Sequence, residues 1–156
     1  MTAREFSLRP ARPGEATPLS ELCLLSKAYW GYPADFLDAC RPYLRVEETD
    51  IEQGHTWVAQ RPDGAVRGVC QIAPGHPVGN LDLLFIHPDM MGKGIGRALF
   101  WNACDRLRAA GERRVTLLSD PQAESAYLKW GAHRIEMRAS DVFPGRLLPW
   151  MAMDLR

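Results

Sequence analysis

The sequence predicts one domain of α/β or α+β type with a mixed sheet, on three observations. Apolar runs of strand length alternate with runs whose apolar residues fall four apart, as at Ile95, Leu99, Ala103 and Leu107. Glycine and proline clusters mark the boundaries between them. The 156 residues contain no linker, repeat or low-complexity tract, and that length suffices to bury one core. Residues 1–156 are therefore expected to form a single domain.

Phe6–Arg9 alternates and meets Pro10, which suits a short opening strand. Thr17-Pro18 reads as a hydroxyl cap followed by proline at the first helical position. Leu19, Leu22, Cys23, Leu25 and Tyr29 give that helix its apolar face, and Gly31 stops it. Pro33 opens a second helix through Phe36, Leu37 and Cys40, which Pro42 limits. Thr56–Gln60 and Ala65–Ala73 form a hairpin around the turn Arg61-Pro-Asp-Gly64. Pro74-Gly-His-Pro77 breaks it. Asn80–His87 is a strand too continuously apolar for a half-wet edge. A helix follows from Arg97 to Ala110 and stops at Gly111. Then come a strand at Arg114–Ser119, a short helix at Gln122–Trp130, a strand from Ile135, and a closing strand at Leu147–Leu155.

Charge and cysteine content narrow the function classes. Lys+Arg and Asp+Glu both number 19, so bulk charge gives no case for nucleic acid or a membrane surface. Met1–Phe6 lacks the apolar core of a signal peptide, and no segment has the length of a membrane span. Cys23, Cys40, Cys70 and Cys104 show no metal spacing and read as small buried hydrophobes in a reducing cytoplasm. The expected location is cytoplasmic, with no metal.

The chemistry points to Pro88-Asp-Met-Met-Gly-Lys-Gly-Ile-Gly96, between a strand and a helix. Gly92, Gly94 and Gly96 let backbone approach a ligand closely. The first N–H groups of the helix have no internal partner and carry the positive end of its dipole. Together they suit a phosphate, with Lys93 and Arg97 nearby. The same turn also serves a fold that binds nothing there. An ATP-type loop does not fit, since Gly-x-x-x-x-Gly-Lys-Ser/Thr is absent. A dinucleotide fingerprint has Leu99 at its third glycine. Asp120 stands where a ribose-binding acid would, but too few strands remain for a doubly wound sheet.

The chain resembles the GNAT acyltransferases. Their cofactor motif, Arg/Gln-x-x-Gly-x-Gly/Ala, fits Met91-Gly-Lys-Gly94-Ile-Gly96 with Met91 replacing the first residue. A second family motif, Asn/Asp-x-x-Ala-x-x-Phe-Tyr-x-Lys-x-Gly-Phe, fits Asp120–Ala132, with Ala126 and Ala132 in place of the two phenylalanines. Arg9-Pro10-Ala11 looks like a family opening. The resemblance implies a single domain with a mixed, mostly antiparallel central sheet flanked by helices. It implies transfer of an acetyl or similar group from acetyl-CoA to a primary amine of a small molecule or peptide. It also allows a homodimer. Two other readings stand beside it: a CoA-binding module without chemistry and a dinucleotide-dependent oxidoreductase.

Carried over residue by residue, the resemblance assigns acetyl-CoA to Leu84, Phe85, Ile86, Met91, Gly92, Lys93, Gly94, Ile95, Gly96, Arg97, Asp120, Ala123 and Tyr127. The strand backbone at Leu84–Ile86 supplies the oxyanion N–H and pairs with the pantetheine arm. Tyr127 matches the family tyrosine that donates to the departing sulfur. Asp82, the only carboxylate in an apolar strand, is the candidate base if buried, because burial raises a carboxyl pKa. His76 and His87 are alternatives. Tyr29, Trp30 and Tyr32 suit an amine pocket, with Arg146 and Trp150 nearby, or pack under the loop. Trp101, on the polar side of its helix, suits a subunit contact.

Overall fold

Residues 5–155 are described in the computed structural model, and their local order follows the apolar periods of the sequence. The strands are β1 (Ser7–Pro10), β2 (Thr56–Gln60), β3 (Val66–Ala73), β4 (Val78–Ile86), β5 (Arg114–Leu118), β6 (His133–Ala139) and β7 (Leu147–Asp154). The helices are α1 (Ala16–Ala28), α2 (Ala34–Cys40), α3 (Glu48–Glu52), α4 (Ile95–Ala109) and α5 (Glu124–Lys129). The seven strands form one sheet in the order β1-β2-β3-β4-β5-β7-β6. Antiparallel pairing joins β1 to β2, β2 to β3, β5 to β7 and β6 to β7, while β4 and β5 run parallel.

The described chain divides into two compact units, and both β4 and α4 pass through each. One comprises the chain up to Gln71 with Leu83–Trp101; the other comprises Ile72–Asp82 with the chain from Asn102 onward. In the first, Val58, Val69, Ile95, Leu99 and Phe100 are fully buried. There β3 and α4 approach closely at Gly68, where a Cβ would lie 2.7 Å from Ile95 Cγ2. In the second, Leu107, Val115, Leu117 and Met151 form the core. Ile95, Leu99, Ala103 and Leu107 are all buried, as their four-residue spacing predicts.

Three expectations are corrected. The first helix starts at Ala16, ahead of the Thr17-Pro18 cap read from sequence, and Pro18 stands third. Proline is tolerated there because the whole first turn lacks intrahelical acceptors for its N–H groups. The cap comes from a distant segment: the Glu48 carboxylate accepts from Gly14 N at 3.1 Å and Ala16 N at 3.2 Å. The buried face of α1 runs through Leu19, Leu22, Cys23 and Ser26, and leaves Leu25 and Tyr29 exposed. Finally, β4 is central, yet it is not buried on both sides. Gly79, Leu81 and Leu83 point inward, while Asp82 is exposed and Leu84, Phe85 and Ile86 are half-buried. The apolar letters hid a two-residue period. Helix α3 went unread because five residues with only Ile51 buried carry no periodic signal.

Candidate functional site

In the first unit, the segment after β4 is built as a fixed platform. The His87 amide donates to Arg67 O at 2.8 Å. Met90, in the turn Pro88–Met90, is buried and anchors the loop, while Met91 is half-buried. Asp89 is fastened by two guanidiniums, Arg67 Nε at 3.2 Å and Arg61 Nη1 at 3.5 Å. Arg61, Arg67 and Asp89 were not recognised from sequence, where they lie far apart and share no motif.

Gly92 and Gly94 follow with φ of +79° and +89°, the left-handed region that a side chain disfavours. A Cβ on either would meet nothing within 4 Å, so the face of the turn is open. Buried Ile95 then starts α4, and the first intrahelical bond runs from Ala98 N to Gly94 O at 3.1 Å. The amides of Ile95, Gly96 and Arg97 precede that bond, at the positive end of a 15-residue helix. Lys93 and Arg97 are exposed, and Lys93 Nζ lies 3.4 Å from Glu5. Open glycine faces, helix-start amides and two cations fit a diphosphate.

In the second unit, the parallel pairing of β4 with β5 ends at Asn80–Thr116. Thr116 Oγ1 donates to Asn80 Oδ1 at 2.9 Å, and Asn80 Nδ2 donates to Asp82 Oδ1 at 2.6 Å. Beyond that point β5 continues through Leu117 and Leu118, paired with β7. The parallel ladder thus takes in Val78, Gly79 and Asn80 of β4.

The Asp82 carboxylate is exposed, which removes the burial argument for a base of raised pKa. The reason is the strand period: Asp82 shares its face with Asn80 rather than with buried Leu81 and Leu83. His76 is exposed, and its ring lies 3.5 Å from Glu112. His87 Nδ1 accepts from the Asp89 amide at 3.1 Å, a turn role. Asp120 is engaged in its own loop: it accepts from Gln122 N at 2.9 Å and lies 3.5 Å from Arg146. Those partners leave it poorly placed as the ribose acid of a dinucleotide site. Tyr127 is buried on α5, edge-on to Trp130 with ring centroids 5.5 Å apart. Ala123, at the start of α5, accepts from the amides of Ala126 and Tyr127.

The three aromatics at the end of α1 divide into two groups. Tyr29 and Trp30 are 57% and 46% exposed and meet edge-to-face at 5.3 Å. They do not pack under the loop. Tyr32 instead stacks on Phe36 at 4.5 Å, with Lys27 Nζ 5.1 Å from its ring. Arg138 lies over the Trp150 ring at 4.0 Å. All four cysteines are buried, and burial pushes the Cys23 and Cys104 thiols up to about 12. Neither is a thiolate at neutral pH. Among the described residues, no group of three His, Cys, Asp or Glu is placed to hold a metal, and no helix is long and apolar enough to cross a membrane.

Residues 27–153 match the acetyltransferase (GNAT) domain family. A mycothiol acetyltransferase from Thermobifida fusca (strain YX) is 31% identical over 94 residues, 60% of this chain and 28% of that protein. The match thus spans little more than a quarter of that relative's length. The fold is similar to PaiA N-acetyltransferase from Thermoplasma acidophilum in complex with coenzyme A, with a TM-score of 0.76 at 18% identity, covering 96% of this chain and 98% of that one. It is also similar to a GCN5-related N-acetyltransferase from Rhodopseudomonas palustris, with a TM-score of 0.77 at 19% identity, covering 99% of both chains.

Proposed function

The chain belongs to the GNAT acetyltransferase family, and from that premise we propose that it transfers an acetyl group from acetyl-CoA to a primary amine of a small molecule or peptide. The observation that carries this reading is the turn Gly92–Gly96: left-handed glycines with open faces directly before the free amides of a long helix. That arrangement suits the CoA pyrophosphate. Met91 lacks the side chain that the family motif puts at its position, so backbone amides, Lys93 and Arg97 carry the anion.

Reaction is by direct attack while both substrates are bound. The neutral amine nitrogen attacks the thioester carbonyl carbon and forms the new C–N bond. Main-chain N–H groups at Leu84–Ile86 donate to the developing oxyanion. The C–S bond then breaks, and the sulfur takes a proton from the Tyr127 hydroxyl. A phenol of pKa about 10 stays protonated at neutral pH and can donate to a thiolate whose acid has pKa about 8.5. The amine gives up a proton to Asp82, directly or through water, in a solvated rather than desolvated setting. Buried, thiol-form Cys23 and Cys104 supply no acyl-cysteine route. Tyr29 and Trp30 offer exposed ring faces to the acceptor, which suits an ammonium or an aromatic group.

The test is a thiol-release screen of acetyl-CoA against small amines, amine antibiotics and peptides. Release that depends on one amine class, with the acetylated product found by mass spectrometry, supports the reading. CoA binding with no turnover across the panel would leave a CoA-binding module instead. No melting shift with any CoA ester overturns both.

A further inference from the structure

Among the described residues, β6 ends the sheet order with β7 as its one neighbouring strand, so its outer edge is open. An open edge is a template for another strand, and proteins blunt such edges with short strands or proline. The opposite edge is blunted in that way: β1 has four residues and ends at Pro10. By contrast, β6 has seven residues, all exposed, and no proline. It carries exposed Ile135 and Met137, and exposed Leu147 lies across from its Ala139. The pairing with β7 fixes which groups face out. Just past the strand end, Ser140 N donates to Arg146 O at 2.8 Å. Bonded pairs alternate along an antiparallel ladder, so Glu136 and Arg138 bond inward while Met137 and Ala139 turn N–H and C=O outward. Pro149 agrees: it stands across from Met137, has no N–H, and gives its carbonyl to Ser119 N at 2.8 Å. Side chains alternate as well. Glu136 and Arg138 share one face, where they pair at 2.7 Å and Arg138 covers Trp150. Met137 and Ala139 share the other.

We infer that β6 pairs with β6 of a second copy of this chain, antiparallel and centred on Met137. The run Ile135-Glu-Met-Arg-Ala139 is self-complementary about that residue. A twofold axis there sets Met137 against Met137, Ile135 against Ala139 and Glu136 against Arg138. The central pair exchanges two main-chain bonds, and each carboxylate meets a guanidinium of the other copy. Other registers fail. Centring on Glu136 sets Arg138 against Arg134, and centring on Arg138 sets arginine against arginine; like charges directly opposite destabilise. Centring on Ile135 falls where the β6–β7 register shifts, between Arg134 and Glu136. A strand from a different protein would have no use for this symmetry, and a formal net charge of zero adds no repulsion between copies. The inference goes beyond the proposed function and uses neither the glycine turn nor Tyr127.

The experiment is sedimentation velocity on the full chain from about 1 to 200 µM, the range in which a small interface associates. Wild type is expected to form a dimer. R138E sets carboxylate against carboxylate and E136R sets guanidinium against guanidinium, so each should raise the dimer dissociation constant about tenfold. The double variant E136R/R138E restores the complementarity and should recover the dimer. The two single variants, mixed in equal amounts, should form a heterodimer more tightly than either pairs with itself. M137P removes an outward N–H without taking a bond from β7, and should also weaken the dimer. A melting midpoint for each variant separates misfolding from lost contact. A wild-type monomer across the whole range overturns the pairing and leaves the edge to a strand of another protein. A dimer that R138E and E136R both leave unchanged overturns it too, and puts the contact elsewhere. Neither result touches the acetyl-transfer reading.

Discussion

The backbone N–H of His76 points at the Glu112 carboxylate, with both oxygens 3.0 Å away. The same carboxylate accepts from Gly75 N at 3.0 Å, and its side chain is fully buried. His76 has φ of +39°, an uncommon conformation for a residue with a side chain. Glu112 therefore holds the β3–β4 turn in a shape it would otherwise leave. Glu112→Ala should cost about 2–4 kcal/mol, since two amides lose their acceptor. Glu112→Gln, which keeps one oxygen, should cost less. Urea unfolding of the three proteins gives the order; equal midpoints would remove the clamp.

Arg9 and Glu15 form a two-pronged pair at 2.9 and 2.8 Å, with side chains only 14% and 22% exposed. Hydrogen bonding from Arg9 is the first cause that holds the Glu15 carboxyl below the usual carboxylate range. A depressed folded-state pKa means that the stabilisation is complete above the unfolded value of about 4.3 and is lost as pH falls through the folded value. Glu15→Gln should therefore lose about 1–2 kcal/mol at pH 7. The gap to wild type should close in acid. Unfolding curves from pH 7 into acid check this, and a gap that does not narrow as pH falls below the unfolded value contradicts it.

Different parts of this structure were legible to different degrees, for physical reasons. The glycine turn and α4 could be read because glycine pairs and a four-residue apolar period are local signals, written where they act. The Asp120–Gly131 run was legible as a motif, yet its Arg146 contact was not. Glu112 and Glu48 act on backbone 32–37 residues away, and neither leaves a mark in its own neighbourhood. The exposure of Asp82 was not legible because leucines on both faces of β4 masked which face was wet. The exposure of Tyr29 and Trp30 depends on how the chain turns at Gly31, where φ is +83°.

Gly68 tests the close approach of β3 to α4. A Cβ there would meet Ile95 Cγ2 at 2.7 Å and Leu99 Cδ1 at 3.0 Å, both on fully buried side chains. Ile95 is β-branched and stiff at χ1, so it cannot swing aside cheaply. Gly68→Ala should destabilise by about 1–3 kcal/mol through overpacking. Because Ile95 opens α4, its displacement should also raise KM for acetyl-CoA. An alanine variant as stable as wild type, measured by thermal melting, would show that the contact yields.

In the proposed reaction Asp82 is a solvated proton acceptor rather than a buried one, since it is exposed and its carboxylate takes a hydrogen bond from Asn80. Asp82→Asn keeps the size and the exposed position, so the fold should persist. Turnover should drop about tenfold to a hundredfold, at the lower end for proton transfer through water. Steady-state rates across pH for both proteins check the role. Full activity with an unchanged pH profile would return the proton to solvent or to a histidine.

Tyr127 is the sharpest test of the transfer step. It is buried and packs edge-on against Trp130, so removing only the hydroxyl leaves that packing in place. Tyr127→Phe should keep the melting midpoint within a few degrees and the KM for acetyl-CoA close to wild type. Its kcat should fall about 10²-fold, because the sulfur must then leave as an unprotonated thiolate. The loss should shrink with an acyl donor whose thiol is more acidic, since a better leaving group needs less help. A purely packing tyrosine predicts a different pattern: little change in kcat and no dependence on the leaving group.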